Sequence, residues 1–143
     1  MLDIPLVIGV TAQDMMASVV VFNMARSFAK WSCRRGRKNV FLYYFDRTLP
    51  GNSYKSFHSS DLWYMFGNMD RSWRPFTDED LRLSNDMIES VVRFIREGDP
   101  GWNRAGRKNI KLRRFNTHGG KYISPIECMP ELLKNTIFDR GPF

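Results

Sequence analysis

Ile4-Pro5-Leu6-Val7-Ile8-Gly9-Val10 is a nearly continuous apolar run that ends at Thr11, with a carboxylate, Asp14, three residues further on. A short run that is apolar on both alternating faces suits a strand covered on both sides, as in a parallel sheet. Residues 15 to 35 then read as a helix. Met16, Val20, Met24, Phe28 and Trp31 recur at steps of four, four, four and three, forming one apolar stripe that is expected to be core. Arg34 and Arg35, followed by Gly36, make an ordinary helix C-terminus in which the basic side chains complement the dipole. From Asn39 to Asp46, around Val40-Phe41-Leu42-Tyr43-Tyr44-Phe45, both alternating faces are again apolar, which predicts a second buried strand. A strand, a helix of this length and another buried strand make a βαβ unit with parallel strands and a right-handed crossover, so the fold class is α/β.

That unit places two chemistry-bearing residues at one edge. Asp14 lies just past the carboxyl end of the first strand, and His58 lies in the loop past the carboxyl end of the second. Open α/β sheets keep their sites at this edge. Strands sit about 4.8 Å apart, so loops leaving adjacent strands can bring a carboxylate to an imidazole. The turn-rich Leu49-Pro50-Gly51-Asn52 can hold His58 away from the sheet. Ser59, Ser60 and Asp61 are N-cap candidates for a Leu62-to-Phe66 helix, whose positive end would disfavour imidazolium. Two readings of His58 stand: a side chain packed at a loop-to-helix junction, or a neutral base. Asp14 alone reads as a solvated loop carboxylate, and beside His58 it reads as the acid that orients the ring.

Further along, Trp73 and Pro75 break the segment from Asn68 to Phe76. Thr77 caps a helix that starts with Asp78-Glu79-Asp80, has Leu81, Ile88, Val92 and Ile95 as its expected buried face, and ends at Gly98-Asp99-Pro100. Lys121-Tyr122-Ile123-Ser124 suggests a short strand, and Met129 to Asp139 a short helix with Pro130 in its first turn.

Composition narrows the function classes. A chain of 143 residues with 43% hydrophobic and 14% aromatic residues is long and apolar enough for a real core, which argues against disorder. No apolar run spans a bilayer and the Met1 end lacks a signal-peptide layout, so a cytoplasmic location with no membrane partner is expected. Cys33 and Cys128 are too few and too far apart for a disulfide framework or a metal site. The net charge of +7 raises the question of nucleic acid. Its second concentration is the tract of Arg104, Arg107, Lys108, Lys111, Arg113 and Arg114, with Trp102 and Phe115 close by. No finger, RNA-binding signature or basic zipper accompanies it, so the tract reads as a solvated charged face.

His58-Ser59-Ser60-Asp61-Leu62-Trp63-Tyr64-Met65-Phe66-Gly67 resembles the block around the catalytic histidine of type-B carboxylesterases, the cholinesterase-like branch of the α/β-hydrolases. Asp61, Leu62, Met65, Phe66 and Gly67 fall in register with that pattern. Ile8-Gly9-Val10-Thr11-Ala12-Gln13-Asp14 resembles the segment carrying the family's acid, and Leu83-Ser84, Phe94 and Gly98-Asp99-Pro100 resemble the helix that follows. The resemblance covers roughly residues 4 to 102 and leaves 103–143 as a basic tail. It implies a partial α/β-hydrolase fold over 1–143, the C-terminal segment of one domain. It also implies a serine ester hydrolase in which His58 is the base, Asp14 orients it and Asp61 supports the pair. No metal or organic cofactor is implied, and the substrate is a small-molecule ester.

The departures are specific. Hydrolases of this fold carry the nucleophile on a Gly-x-Ser-x-Gly elbow, and none occurs in this sequence. In Gly51-Asn52-Ser53-Tyr54-Lys55 a lysine stands where the second glycine belongs, and Ser59 and Ser60 read as caps. His118-Gly119-Gly120 follows the histidine block, whereas the oxyanion loop of the fold precedes the nucleophile, so it reads as a turn. Asp14 stands where the family mostly has Glu, Met15 where Gly usually follows, and Lys111-Leu112-Arg113-Arg114-Phe115 where a Trp-Pro pair is common. The expectation is a chain that supplies the histidine and acid but not the serine and is inactive alone. Buried-type strands without sheet neighbours also predict an exposed sheet edge that recruits a partner chain or self-associates. A non-catalytic interaction module and a basic nucleic-acid binder are the alternatives.

Overall fold

The computed structural model describes residues 3–14, 18–51, 55–106, 110–118 and 121–137. Met15, Met16, Asn52, Ser53, Arg107, Lys108, Gly119, Gly120 and Asp139, which figure in the sequence reading, lie outside them. The described residues run β1 (Leu6–Thr11), α1 (Ser18–Arg34), β2 (Val40–Phe45), α2 (Leu62–Met65), α3 (Asp78–Glu97), β3 (Leu112–Phe115), β4 (Tyr122–Ile123) and α4 (Pro125–Ile137), with a 3-10 turn at Met69–Arg71. The sheet has the order β1-β2-β3-β4. β1, β2 and β3 are parallel, and β4 closes on β3 antiparallel.

β2 is the axis of the molecule. All six of its residues are buried, because alternate side chains feed two separate cores. Val40, Leu42 and Tyr44 join Phe22, Ala29 and other residues on the side covered by α1 and α4. Phe41, Tyr43 and Phe45 join Tyr64, Met87 and other residues on the side covered by α2 and α3. The expected βαβ unit and partial α/β-hydrolase fold are present, the short strand suggested at Lys121–Ser124 forms as β4, and β3 is the one strand the sequence did not suggest. β1 is an edge strand and only half-buried through most of its length.

Several elements depart from expectation for identifiable reasons. In α1 the stripe of Val20, Met24, Phe28 and Trp31 is exposed rather than core. The helix lays Ser18, Phe22, Ala29, Ser32 and Cys33 on the sheet instead. Mostly small residues let the helix axis approach the strands, and the Cys33 thiol reaches the Ala105 carbonyl at 3.2 Å. The helix stops as expected: Gly36 has φ 94°, Arg37 N donates to Ser32 O at 3.1 Å and Gly36 N to Cys33 O at 3.2 Å, a Schellman closure.

In α3 the buried face is Leu83, Ser84, Met87 and Ser90, while Leu81, Val92 and Ile95 face solvent. Asp80 sets that rotation. Its carboxylate is fully buried and accepts hydrogen bonds from Arg47, Tyr64 and Thr77. The Thr77–Asp80 capping box and the left-handed Gly98 bound the helix as expected.

At Arg113 and Arg114 the basic tract is not a solvated face. Leu112, Arg113 and Phe115 are buried in β3. Arg113 pairs with Asp86, and the Arg114 Nε donates to Asp46 Oδ2 at 2.8 Å. The last helix begins at Pro125, four residues before Met129, because Ser124 and Glu127 cap it reciprocally and Pro125 fits a first-turn position. Pro130 therefore falls inside the helix. Among the described residues no helix is long and apolar enough to cross a membrane.

Candidate active site

Parallel pairing puts the ends of β1 and β2 level, with Thr11 opposite Phe45. Beyond those ends the two loops are tied together by one serine. Ser56, fully buried, accepts from the Ala12 amide at 3.2 Å and donates to the Phe45 carbonyl at 2.9 Å. Its own carbonyl accepts from Gln13 N at 2.8 Å, and Gln13 and Phe57 form an isolated parallel bridge. The strand pairing is thus extended past both strand ends, and it delivers Asp14 and His58 to the same place. His58 Nδ1 lies 2.6 Å from Asp14 Oδ1.

The pair is asymmetric in its exposure. The His58 side chain is 64% exposed and that of Asp14 only 12%. A carboxylate can only accept, so it selects the Nδ1–H tautomer of neutral imidazole and leaves the lone pair on Nε2. An anchored ring with one free basic nitrogen can take and return a proton. His58 and Asp14 line a cavity of about 120 Å³ with Gly9, Thr11, Asp61 and Leu62.

The local supports differ from those the sequence suggested. α2 is a single turn of four residues. So few aligned peptides give little of the dipole expected to act on His58. Neither serine nor aspartate caps it through a side chain. Ser59 takes a left-handed conformation at φ 66°, which makes the sharp step from His58 into the turn. Asp61 directs its carboxylate at Tyr43, whose hydroxyl donates to Oδ2 at 2.6 Å. Burial pushes the Tyr43 hydroxyl far above its ordinary range, and the Asp61 charge adds to it, so Tyr43 remains a donor at any ordinary pH. Asp61 lines the cavity but bonds Tyr43 rather than the histidine.

Sequence reasoning missed three supports. Ser56 carried no signal, since a serine in a polar loop looks like any other. Tyr43 did: Gly9, its partner in register, is a glycine inside a strand, a mark of close backbone approach. Arg74 is the third. Its guanidinium lies 5.7, 5.6 and 4.9 Å from the ring centres of Phe57, Trp63 and Trp73, and it donates to the Pro50 carbonyl at 2.9 Å. It thereby clamps the residue preceding His58 to the loop that follows β2. No group of three metal-ligating side chains occurs among the described residues.

The architecture is similar to solved esterases. An esterase from anaerobic Clostridium hathewayi, described as able to hydrolyse aliphatic aromatic polyesters, aligns with TM-score 0.61 and 18% identity over 78% of this chain and 23% of its own. A PNB esterase structure aligns with TM-score 0.66 and 22% identity over 82% of this chain and 26% of its own. A thermophilic PNB esterase gives TM-score 0.54 and 22% identity over 65% and 22%. Identities this low speak for the fold alone, and the chain spans about a quarter of the length of these enzymes. None of the curated proteins compared matches it. The family model described as the Carboxylesterase family, however, matches residues 8–134, from inside β1 into α4. With the match running through both strands and both loops that bring His58 to Asp14, the chain belongs to the carboxylesterase family.

Proposed function

We propose that the chain is the C-terminal segment of a serine ester hydrolase and supplies its base and orienting acid. The observation that carries this reading is the 2.6 Å contact between His58 Nδ1 and Asp14 Oδ1 at the carboxyl edge of two parallel strands. In the reaction His58 Nε2 takes the hydroxyl proton of a serine as its oxygen attacks an ester carbonyl. The same nitrogen returns the proton to the leaving alcohol, and water then hydrolyses the acyl-enzyme by the same route. Asp14 holds the tautomer and steadies the imidazolium. These 143 residues hold no Gly-x-Ser-x-Gly elbow, so in this reading the serine comes from a segment outside them.

The outer edge of β1 pairs with no strand among the described residues, which supports such completion, since a further strand can add there. The test is to mix the chain with a carboxylesterase polypeptide lacking its own C-terminal quarter and to isolate the complex. Turnover of p-nitrophenyl butyrate by the complex, abolished by His58→Ala and strongly reduced by Asp14→Asn, is the expected result. A stable complex that is inactive, or turnover indifferent to His58→Ala, contradicts the proposal. The basic nucleic-acid reading loses its support from Arg113 and Arg114, which face Asp86 and Asp46.

A further inference from the structure

Four large apolar side chains of α1 point away from the sheet. Val20, Met24, Phe28 and Trp31 are 54%, 66%, 48% and 42% exposed. The rings of Phe28 and Trp31 stack at 5.7 Å, and the Arg35 guanidinium lies 5.5 Å from the Trp31 ring centre. Val20, Met24 and Phe28 follow one row of the helix at steps of four, with Trp31 beside it. Arg26, Lys30 and Arg34 follow a second row at the same step, along one flank of the first. The helix sequence from Ser18 to Arg34 contains no aspartate or glutamate.

The cationic row leads on to a neighbouring element. Where α1 meets the start of α4, Arg26 and Lys30 share a cavity of about 400 Å³ with Lys111, Ser124 and Ile126. Ile126 is 81% exposed. Glu127, in the first turn of α4, accepts from the Ser124 amide at 2.6 Å. Arg26, Lys30 and Lys111 have no ion pair among the described residues.

We propose that the outer face of α1, with the start of α4, docks on an anionic phospholipid membrane. A convex helix with an aromatic-rich apolar row beside a row of cations is the pattern of a segment that lies in the headgroup layer. Its apolar row reaches the acyl boundary while Arg26, Lys30, Arg34 and Lys111 meet lipid phosphates, which attract basic side chains at short range. A protein partner is less well matched. A stable interface buries about 800 Å² on each side around a core depleted of charge, whereas here cations run along the whole row. The surface lies on the opposite side of the sheet from α3 and uses neither His58 nor Asp14, so its test reads out separately from that of the ester-hydrolase reading.

The test is sedimentation of the 143-residue chain with phosphatidylcholine vesicles, with and without phosphatidylglycerol. Binding to the anionic vesicles alone is expected, with a blue shift of Trp31 emission that Trp31→Leu removes. Arg26→Glu, Lys30→Glu and Arg34→Glu together reduce the partition coefficient on the order of a hundredfold or more. Arg34→Glu alone, at an exposed position in the last turn of α1, reduces it about fivefold. Arg96→Glu on α3 leaves it unchanged. Absence of binding to the anionic vesicles overturns the proposal, as does equal binding to neutral vesicles. So does a discrete dimer in light scattering that Phe28→Ser with Trp31→Ser dissolves, because a second copy would then be the occupant. Displacement of the chain by inorganic phosphate at matched ionic strength also overturns it, since a soluble anion site would account for the cations.

Discussion

The ring of Tyr43 occupies the space that a side chain at position 9 would need: a Cβ built on Gly9 falls 1.9 Å from Tyr43 Cζ. The two residues are in register across the β1–β2 pair, so the missing side chain lets Tyr43 lie over the neighbouring strand and reach Asp61. Gly9→Ala is therefore expected to destabilise the fold by about 1–3 kcal/mol through overpacking. It also pulls the Tyr43 hydroxyl off Asp61. Urea denaturation of Gly9→Ala alone and with Tyr43→Val checks this, the second variant recovering much of the loss because it removes the clashing ring. An equal loss in both would mean the glycine serves another purpose.

Asp80 should govern the acid limb of stability. Burial alone would raise its pKa, but hydrogen bonds from Arg47, Thr77 and Tyr64 outweigh burial and hold it at about 2, against an ordinary 3.8. A folded-state pKa below the unfolded one means that the ionised form favours folding. The contribution, on the order of 2 kcal/mol, is full above pH 3.8, shrinks as pH falls toward 2 and is gone below it. Asp80→Asn should flatten the stability profile in that window. At neutral pH it should cost on the order of 3 kcal/mol, because the largely buried Arg47 loses its counter-charge. Chemical denaturation at several pH values measures both effects.

The chain alone should turn over no p-nitrophenyl butyrate above background. A base and an orienting acid without nucleophile or oxyanion donors forgo most of the rate enhancement of acyl transfer. A steady-state assay of the purified chain beside His58→Ala measures this, and activity lost in the variant would contradict it.

How far the molecule could be read from its sequence depended on where the deciding partner lay. β2 was legible because Val40 through Phe45 is apolar on both faces, and only a strand between two cores tolerates that. The start and stop of α3 were legible because Thr77, Asp80 and Gly98 act on their own helix ends. The face of α1 was not. More than one of its faces carries apolar side chains, and the choice of the face with Ser18, Ala29 and Ser32 follows from how closely the helix approaches the sheet. β3 was hidden because Arg113 and Arg114 look solvated until Asp86 and Asp46 are brought to them from far along the chain. At the site, Asp14 and His58 could be placed on one edge by topology, but the Ser56 bridge that draws their loops together could not be foreseen.

The most direct measurement is the tautomer of His58, read from the ring nitrogens by 15N–1H NMR, with His118→Gln to separate the two histidines. Neutral His58 should be the Nδ1–H tautomer, and Asp14→Asn should shift it toward Nε2–H, because the acceptor that selects Nδ1–H has gone. A wild-type ring protonated at Nε2, or one that ignores Asp14→Asn, would contradict the pairing on which the account rests.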